Sequence, residues 1–224
     1  MVSVIREALP AQARLRITEI FRSLQGEALT AGMPTVFVRL TGCPLRCQYC
    51  DTAYAFSGGT SYSVEQVIEQ VAALQTTHVC VTGGEPLAQP GCISLCTALC
   101  DAGHRVSLET SGAMDVSLVD ARVSKVLDLK TPGSGELARN RYDNIEHLQA
   151  HDQVKFVVCD RADFEWALRI NDEHDLASRC TVWLSPSHEQ LELTTLATWL
   201  LDSGAPLRLQ VQLHKYIWGD EPGR

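Results

Sequence analysis

The sequence predicts an α/β fold: a partial, open β/α barrel of about six parallel strands, preceded by an N-terminal strand and loop. Three observations predict it. Short β-branched apolar runs alternate with segments of helical periodicity, the pattern of parallel strands joined by right-handed crossovers. The chemically distinctive residues fall at the ends of those runs, and open α/β sheets and barrels place their sites at the carboxyl edge. The runs number six or so, too few for a closed eight-stranded barrel. The 224 residues are 45% hydrophobic and 21% charged, a composition that suits a globular unit with a buried core. No repeat, low-complexity tract or linker divides them, so residues 1–224 are expected to form one domain.

Each element has its own warrant. Residues 1–28 are expected to form an N-terminal extension, of which 14–28 add a strand and a loop over the site. Residues 35–40 (TVFVRL) read as the first barrel strand, running directly into Cys43. Residues 63–74 read as a helix with Ser63 as N-cap and Glu65 and Gln66 in its first turn. A strand over 79–82 ends in Gly83-Gly84-Glu85-Pro86, and a helix over 92–102 is stopped by Gly103. A strand over 104–108 ends in Glu109-Thr110-Ser111-Gly112, and one over 126–129 in Lys130-Thr131-Pro132. Residues 140–150 read as a short helix, 154–158 as a strand and 162–171 as a helix. A strand over 181–184 ends in Ser185-Pro186. A helix over 191–202 is stopped by Gly204, and a last strand over 207–213 ends in His214-Lys215, with the tail 214–224 near the site.

The formal net charge of −8 argues against nucleic acid or an anionic membrane as partner, since both need a basic face. No run approaches the ~18 apolar residues of a membrane span. Residues 1–16 lack the apolar core and cleavage site of a signal peptide, so a cytoplasmic protein is expected. Nine cysteines in such a chain are reduced thiols or metal ligands, not a disulfide framework.

Three of them, Cys43, Cys47 and Cys50, share one eight-residue stretch at CxxxCxxC spacing. Thiolates this close can converge on one metal centre. A structural zinc needs four ligands, and the six other cysteines offer no CxxC pair. A cubane iron–sulfur cluster held by three cysteines keeps one iron open. The adjacent glycines Gly83 and Gly84 let a ligand approach the backbone, and Glu85 offers a partner to an ammonium; taken alone, the tetrapeptide reads as a plain turn. Glu109 to Gly112 reads equally as a ligand contact or a polar turn. Cys92, Cys96 and Cys100 fall on one helical stripe and read as packing residues, and Cys80, Cys159 and Cys180 read as core. His78, His104, His147, His151, His174 and His188 show no metal spacing. Trp166 and Trp199 read as packing residues, and residues 172–175 (DEHD) as a solvated loop.

The cysteine loop at the end of the first barrel strand resembles the signature of the radical S-adenosylmethionine superfamily. The resemblance implies that Cys43, Cys47 and Cys50 hold a 4Fe-4S cluster whose open iron chelates S-adenosylmethionine. One electron then releases an adenosyl radical that takes hydrogen from substrate. Four further stretches narrow it: Phe21 to Glu27 (FRSLQGE), Phe37 to Leu40 (FVRL), Cys50-Asp51-Thr52, and Leu213 to Tyr216 (LHKY). Together they resemble the 7-carboxy-7-deazaguanine synthase family over residues 17–216. That resemblance implies a carbon–nitrogen lyase of queuosine biosynthesis, the tRNA-modification pathway. It would contract the ring of 6-carboxy-5,6,7,8-tetrahydropterin with loss of ammonia and use Mg²⁺.

Residue by residue, the resemblance places cofactor contacts at Tyr49, Cys50, Asp51 and Gly84, with Glu85 and Ser111 read beside them. Asp128, Leu129 and Lys130 align with a further cofactor stretch, often Ser-Pro-Lys in the family, of which only the lysine is kept. Substrate contacts fall on Leu24, Gln25, Gly26, Glu27, Arg39, Thr82 and, from the last strand, His214. An always-charged fork such as Arg39 suits a carboxylate or a polar heterocycle edge. Thr52 matches the Mg²⁺ ligand, a single hard oxygen suited to an ion that keeps its waters. The resemblance further implies an electron donor such as flavodoxin, and a homodimer. Two alternatives remain at this point: a glycyl-radical activase of the same superfamily, and a non-catalytic zinc-binding module.

Overall fold

The computed structural model describes residues 14–219, Glu221 and Gly223. Most of the segment read for a signal peptide, and part of the tail, lie outside the described residues. The first strand, β1 (Arg14–Leu24), pairs antiparallel with both β2 (Pro34–Leu40) and β3 (Thr60–Ser63). From β2 onward every pairing is parallel, through β4 (His78–Gly83), β5 (Arg105–Thr110), β6 (Ser124–Asp128), β7 (Gln153–Val158), β8 (Thr181–Pro186) and β9 (Arg208–Leu209). The sheet order is β3-β1-β2-β4-β5-β6-β7-β8-β9. The expected six-strand parallel run is present, with a two-residue seventh strand at its edge. The edge strand β3 was not expected; TSYS carries no apolar alternation to announce it.

Alternation along the strands divides the sheet into two unlike faces. Val36, Val38, Val79, Val81, Leu108, Leu127, Val154, Phe156, Val182 and Leu184 are buried on one face. Against them pack the buried stripes of α1 (Val64–Ala73), α2 (Gly91–Asp101) and α3 (Arg161–His174). The short α4 (Leu176–Arg179) and α5 (Leu193–Ser203) complete this layer with Leu176 and Leu196. The residues between them in the strands, Phe37, Arg39, Thr82, Glu109, Asp128 and Lys155, line the cavity on the other face.

Local chemistry sets the helix ends. The Ser63 hydroxyl accepts from the Gln66 N–H at 3.3 Å, and the Gln66 side chain accepts from the Ser63 N–H at 2.9 Å, a closed capping box. Gly103 and Gly204 adopt positive φ just past α2 and α5, the expected stops. Trp166 packs edge-on to Phe156, and Trp199 tilts against Phe164. Cys80, Cys92, Cys96 and Cys180 are buried. No helix among the described residues is long and apolar enough to cross a membrane.

Four expectations are corrected. Within 140–150 there is only a 3-10 turn, Tyr142–His147. The buried Asn144 amide donates to the Gly112 and Met114 carbonyls and accepts from the Val116 N–H, which ties this segment to the loop leaving β5. The last strand stops at Leu209, because Gln210 turns its side chain to the Ala28 N–H and the Glu27 carboxylate. Leu213–Trp218 forms a helix instead, α6, so His214 stands on a helix and not on a strand. Asp172, Glu173 and His174 complete α3, which Asp175 closes at φ 50°. Cys159 is only half-buried; its sulfur lies 3.4 Å from the Gln48 amide nitrogen, beside the cysteine loop.

Candidate active site

A cavity of about 530 Å³ opens at the carboxyl edge of the parallel strands, within the size range of small-molecule sites. The loop after β1 brings Leu24, Gln25, Gly26 and Glu27 to it, and β2 and β4 bring Arg39 and Thr82. The cysteine loop supplies Cys43, Cys47, Tyr49, Cys50, Asp51 and Thr52. Gly84, Ser111, Asp128 and Lys130 come from the exits of β4, β5 and β6, and His214 from α6. Two expected residues do not reach it. Leu129 is fully buried in the apolar core, because alternation turns it to the face opposite Asp128 and Lys130. Glu85, at 0% exposure, is closed off behind the wall. Its carboxylate accepts from the Leu87 N–H at 2.9 Å, from the Thr110 hydroxyl at 2.9 Å, and from the N–H and hydroxyl of Ser111. Glu85 therefore ties the β4 exit to the β5 exit.

The cysteine loop is held from several sides. Gly42 donates to the Ala55 carbonyl, Gln48 to the Ser134 carbonyl and the Arg46 N–H to Glu136. The Arg46 guanidinium returns to the Cys43 and Leu45 carbonyls and lies 4.3 Å over the Phe56 ring. Burial pushes all three thiols up, Cys47 to about 11. Free thiolates are thus disfavoured here, and a metal centre would have to displace the protons. Among the described residues, no three His, Cys, Asp or Glu side chains are close enough to hold a single ion. Three thiols lining one cavity are the donor set of a cluster that keeps one iron open to a further ligand.

The cofactor side of the cavity fits an added polar ligand as well. Among the described residues, the Tyr49 hydroxyl and Asp128 Oδ1 are buried without a hydrogen-bond partner, and both residues line the cavity. Buried polar atoms of this kind call for a partner. A Cβ on Gly84 would stand 2.4 Å from the Gly42 carbonyl oxygen and 2.7 Å from the Cys43 Cβ. The glycine-rich strand exit is therefore pressed directly against the cysteine loop.

On the substrate side lies a charged network. Glu27 accepts from Lys155 Nζ at 2.6 Å and from the Gln210 and Gln212 amides at 3.0 Å each. Burial pushes the Glu27 carboxyl up, but Lys155 and Gln212 outweigh it and hold it below the ordinary range. Asp128 pairs with Lys130 at 3.0 Å and lies 3.9 Å from Lys155. Burial, reinforced by the Glu27 charge, pushes the Glu109 carboxyl up; it accepts from Gln25 at 3.4 Å and Thr82 at 3.3 Å. Arg39 Nε donates to Glu19 at 2.6 Å, and the Tyr54 hydroxyl donates to the same oxygen at 2.8 Å. Arg39 itself lines the cavity, with its guanidinium 5.8 Å over the Tyr54 ring. Thr52 donates to Asp51 at 2.7 Å, so its oxygen keeps lone pairs for a cation. His214 sits over Gly26, where a Cβ would fall 2.2 Å from the ring Nδ1, and the Leu213 N–H donates to the Gly26 carbonyl. Burial pushes the His214 imidazole below its ordinary value.

Reading the sequence missed Lys155, Glu19, Tyr54 and Gln212. Only Lys155 left a signal, a lone lysine in the strand QVKFVV at the alternation position opposite Val154 and Phe156.

The open parallel sheet and its three-cysteine edge define a radical S-adenosylmethionine protein, and the radical SAM superfamily profile matches residues 37–131. Membership implies a 4Fe-4S cluster and S-adenosylmethionine as cofactors. The chain is 41% identical over 216 residues to the 7-carboxy-7-deazaguanine synthase of Chlorobaculum tepidum, covering 95% of this chain and 98% of the relative. It is 39% identical to the 7-carboxy-7-deazaguanine synthase of Koribacter versatilis, over 92% and 98% of the two chains. The crystal structure of QueE from Escherichia coli superposes with a TM-score of 0.74 at 22% identity, covering 90% of this chain and 95% of that one, a likeness of fold. The chain belongs to the 7-carboxy-7-deazaguanine synthase family.

Proposed function

We propose that this chain, acting as one radical SAM core domain, converts 6-carboxy-5,6,7,8-tetrahydropterin to 7-carboxy-7-deazaguanine with loss of ammonia. The observation that carries the reading is convergence: residues matched to the family's motifs from both ends of the chain, Gln25 to His214, line one cavity. When bound, the cluster and S-adenosylmethionine supply a one-electron bond cleavage that lets a hydrogen atom be taken from substrate. The chain's residues do the rest. Cys43, Cys47 and Cys50 hold the cluster. Tyr49, Asp51, Gly84, Ser111, Asp128 and Lys130 bind and orient S-adenosylmethionine. Gln25, Glu27, Arg39, Thr82 and His214 present donors and acceptors in fixed order to the pterin edge and its carboxylate. The α6 helix meets the β1–β2 loop on the substrate side, where the Leu213 N–H donates to the Gly26 carbonyl. An electron donor such as flavodoxin and a homodimeric assembly complete the proposal on family resemblance.

The test is anaerobic incubation of the reconstituted protein with the carboxytetrahydropterin, S-adenosylmethionine, a reductant and Mg²⁺. An ultraviolet-absorbing deazapurine is expected; an intact cluster without product would defeat the reading. Mg²⁺ is proposed at Thr52, with waters and substrate oxygens as its other ligands. Thr52→Ala is expected to raise the Mg²⁺ concentration for half-maximal rate by about tenfold, the worth of one good ligand, and to leave S-adenosylmethionine affinity within about threefold. An unchanged Mg²⁺ titration would remove Thr52 from the metal site.

A further inference from the structure

We propose that Lys155 is a positioning residue for the substrate, fixing the Glu27 carboxylate and joining the substrate wall to the cofactor wall through Asp128. The inference rests on the pterin reading of this cavity. Lys155 lies mid-strand in β7, with its Cα in register with Asp128 of β6. Its neighbours Val154 and Phe156 are fully buried on the helix-covered face, so alternation commits the lysine side chain to the cavity. There Nζ stands 2.6 Å from Glu27 Oε2 and 3.9 Å from Asp128 Oδ2, with Glu109 also on the cavity wall. A buried ammonium is costly unless paired, and here the partners belong to both proposed subsites.

The two partners depend on Lys155 unequally. Glu27 has no other cation at hydrogen-bond distance among the described residues; its further donors are the neutral Gln210 and Gln212 amides. Asp128 has a second cation, Lys130, at 3.0 Å. A pterin edge presents ring N–H donors, which an ionised, fixed carboxylate accepts. Without its cation, a buried carboxylate tends to take up a proton and no longer accepts a substrate N–H as an anion. Removing the ammonium therefore weakens pterin binding strongly and cofactor binding little.

The test uses the cluster-reconstituted protein under anaerobic conditions, with each ligand's affinity measured by calorimetry beside steady-state rates. Lys155→Met is expected to weaken carboxytetrahydropterin binding by about 30-fold, within the range of a lost charge-assisted hydrogen bond, with a matching rise in KM. S-adenosylmethionine affinity should stay within about threefold. Lys155→Arg should recover most of the loss. In a Glu27→Gln background, Lys155→Met should cost less than about threefold further, because the group it acts through is gone. Lys155→Gln serves as a second, polar replacement and should match Lys155→Met. Unchanged pterin affinity, equal losses for both ligands, or the same cost in both backgrounds would overturn the inference. So would failure of both replacements to fold, which would mark a scaffold role. Wild-type protein that binds no pterin defeats the site reading and this inference with it; wild-type turnover with indifferent Lys155 variants defeats this inference alone.

Discussion

Glu85→Ala is expected to destabilise the protein by about 3–4 kcal/mol, because it leaves several buried donors without an acceptor at about 1–3 kcal/mol each before relaxation. The donors are specific. The Leu87 N–H, the Thr110 hydroxyl and both polar hydrogens of Ser111 converge on one carboxylate at zero exposure. Thr110 and Ser111 are themselves buried, so water cannot replace the carboxylate without opening the β4–β5 edge. For a domain of this size the loss corresponds to a Tm lower by roughly 10 °C, read by thermal unfolding of the cofactor-free protein. Glu85→Gln keeps one acceptor oxygen but turns an NH₂ toward a donor, and should cost about 2 kcal/mol. Normal stability together with a more than tenfold loss of S-adenosylmethionine affinity would mean that the carboxylate meets the ligand instead.

Much of this architecture is legible in the sequence, for a physical reason. Parallel strands buried under helices are written as short apolar runs, so β2, β4, β7 and β8 are found to within a residue or two of their ends. Sites at the carboxyl edge follow from topology alone, and the residues after each run, Cys43, Gly84, Ser111 and Lys130, do meet at one cavity. Side-chain direction is harder to read. Glu85 and Leu129 sit beside true cavity residues in the chain, but a step of one residue turns a side chain to the other face. Residues recruited by tertiary pairing are the least legible. Glu19 reaches Arg39 across the antiparallel β1–β2 pair, where the register sets their Cα atoms opposite each other. Gln210 and Gln212 end the last strand because they answer the Glu27 carboxylate some 180 residues earlier in the chain, which no local propensity encodes.

Gly84→Ala is expected to separate the cysteine loop from the sheet and to lower iron loading more than it lowers stability. The added methyl has no rotamer with which to escape. Its ideal position is 2.4 Å from the Gly42 oxygen, 2.8 Å from the Gly42 carbonyl carbon and 2.7 Å from the Cys43 Cβ. Ordinary contact requires a separation of about 3.5 Å, so one backbone must retreat by about 1 Å. The β4 side is anchored, since the Gly84 N–H donates to the Leu40 carbonyl and the Glu85 side chain is clasped from β5. The Gly42 side is the weaker one: that residue holds φ 99°, and its carbonyl receives the Glu85 N–H at 2.8 Å. Movement there carries Cys43 with it and removes one corner of the three-thiol arrangement. Overpacking of this kind costs about 1–3 kcal/mol, so the variant should fold. Reconstitution is expected to yield less than about half the wild-type iron per chain, since all three ligands of a cluster must stand together. Gly204→Ala is the control. It sits at φ 63° with no atom within 4 Å of the added Cβ, so it should cost about 1 kcal/mol from backbone strain alone and leave iron loading unchanged. Full iron content in Gly84→Ala, with wild-type turnover, would show that the cysteine loop does not depend on this close approach.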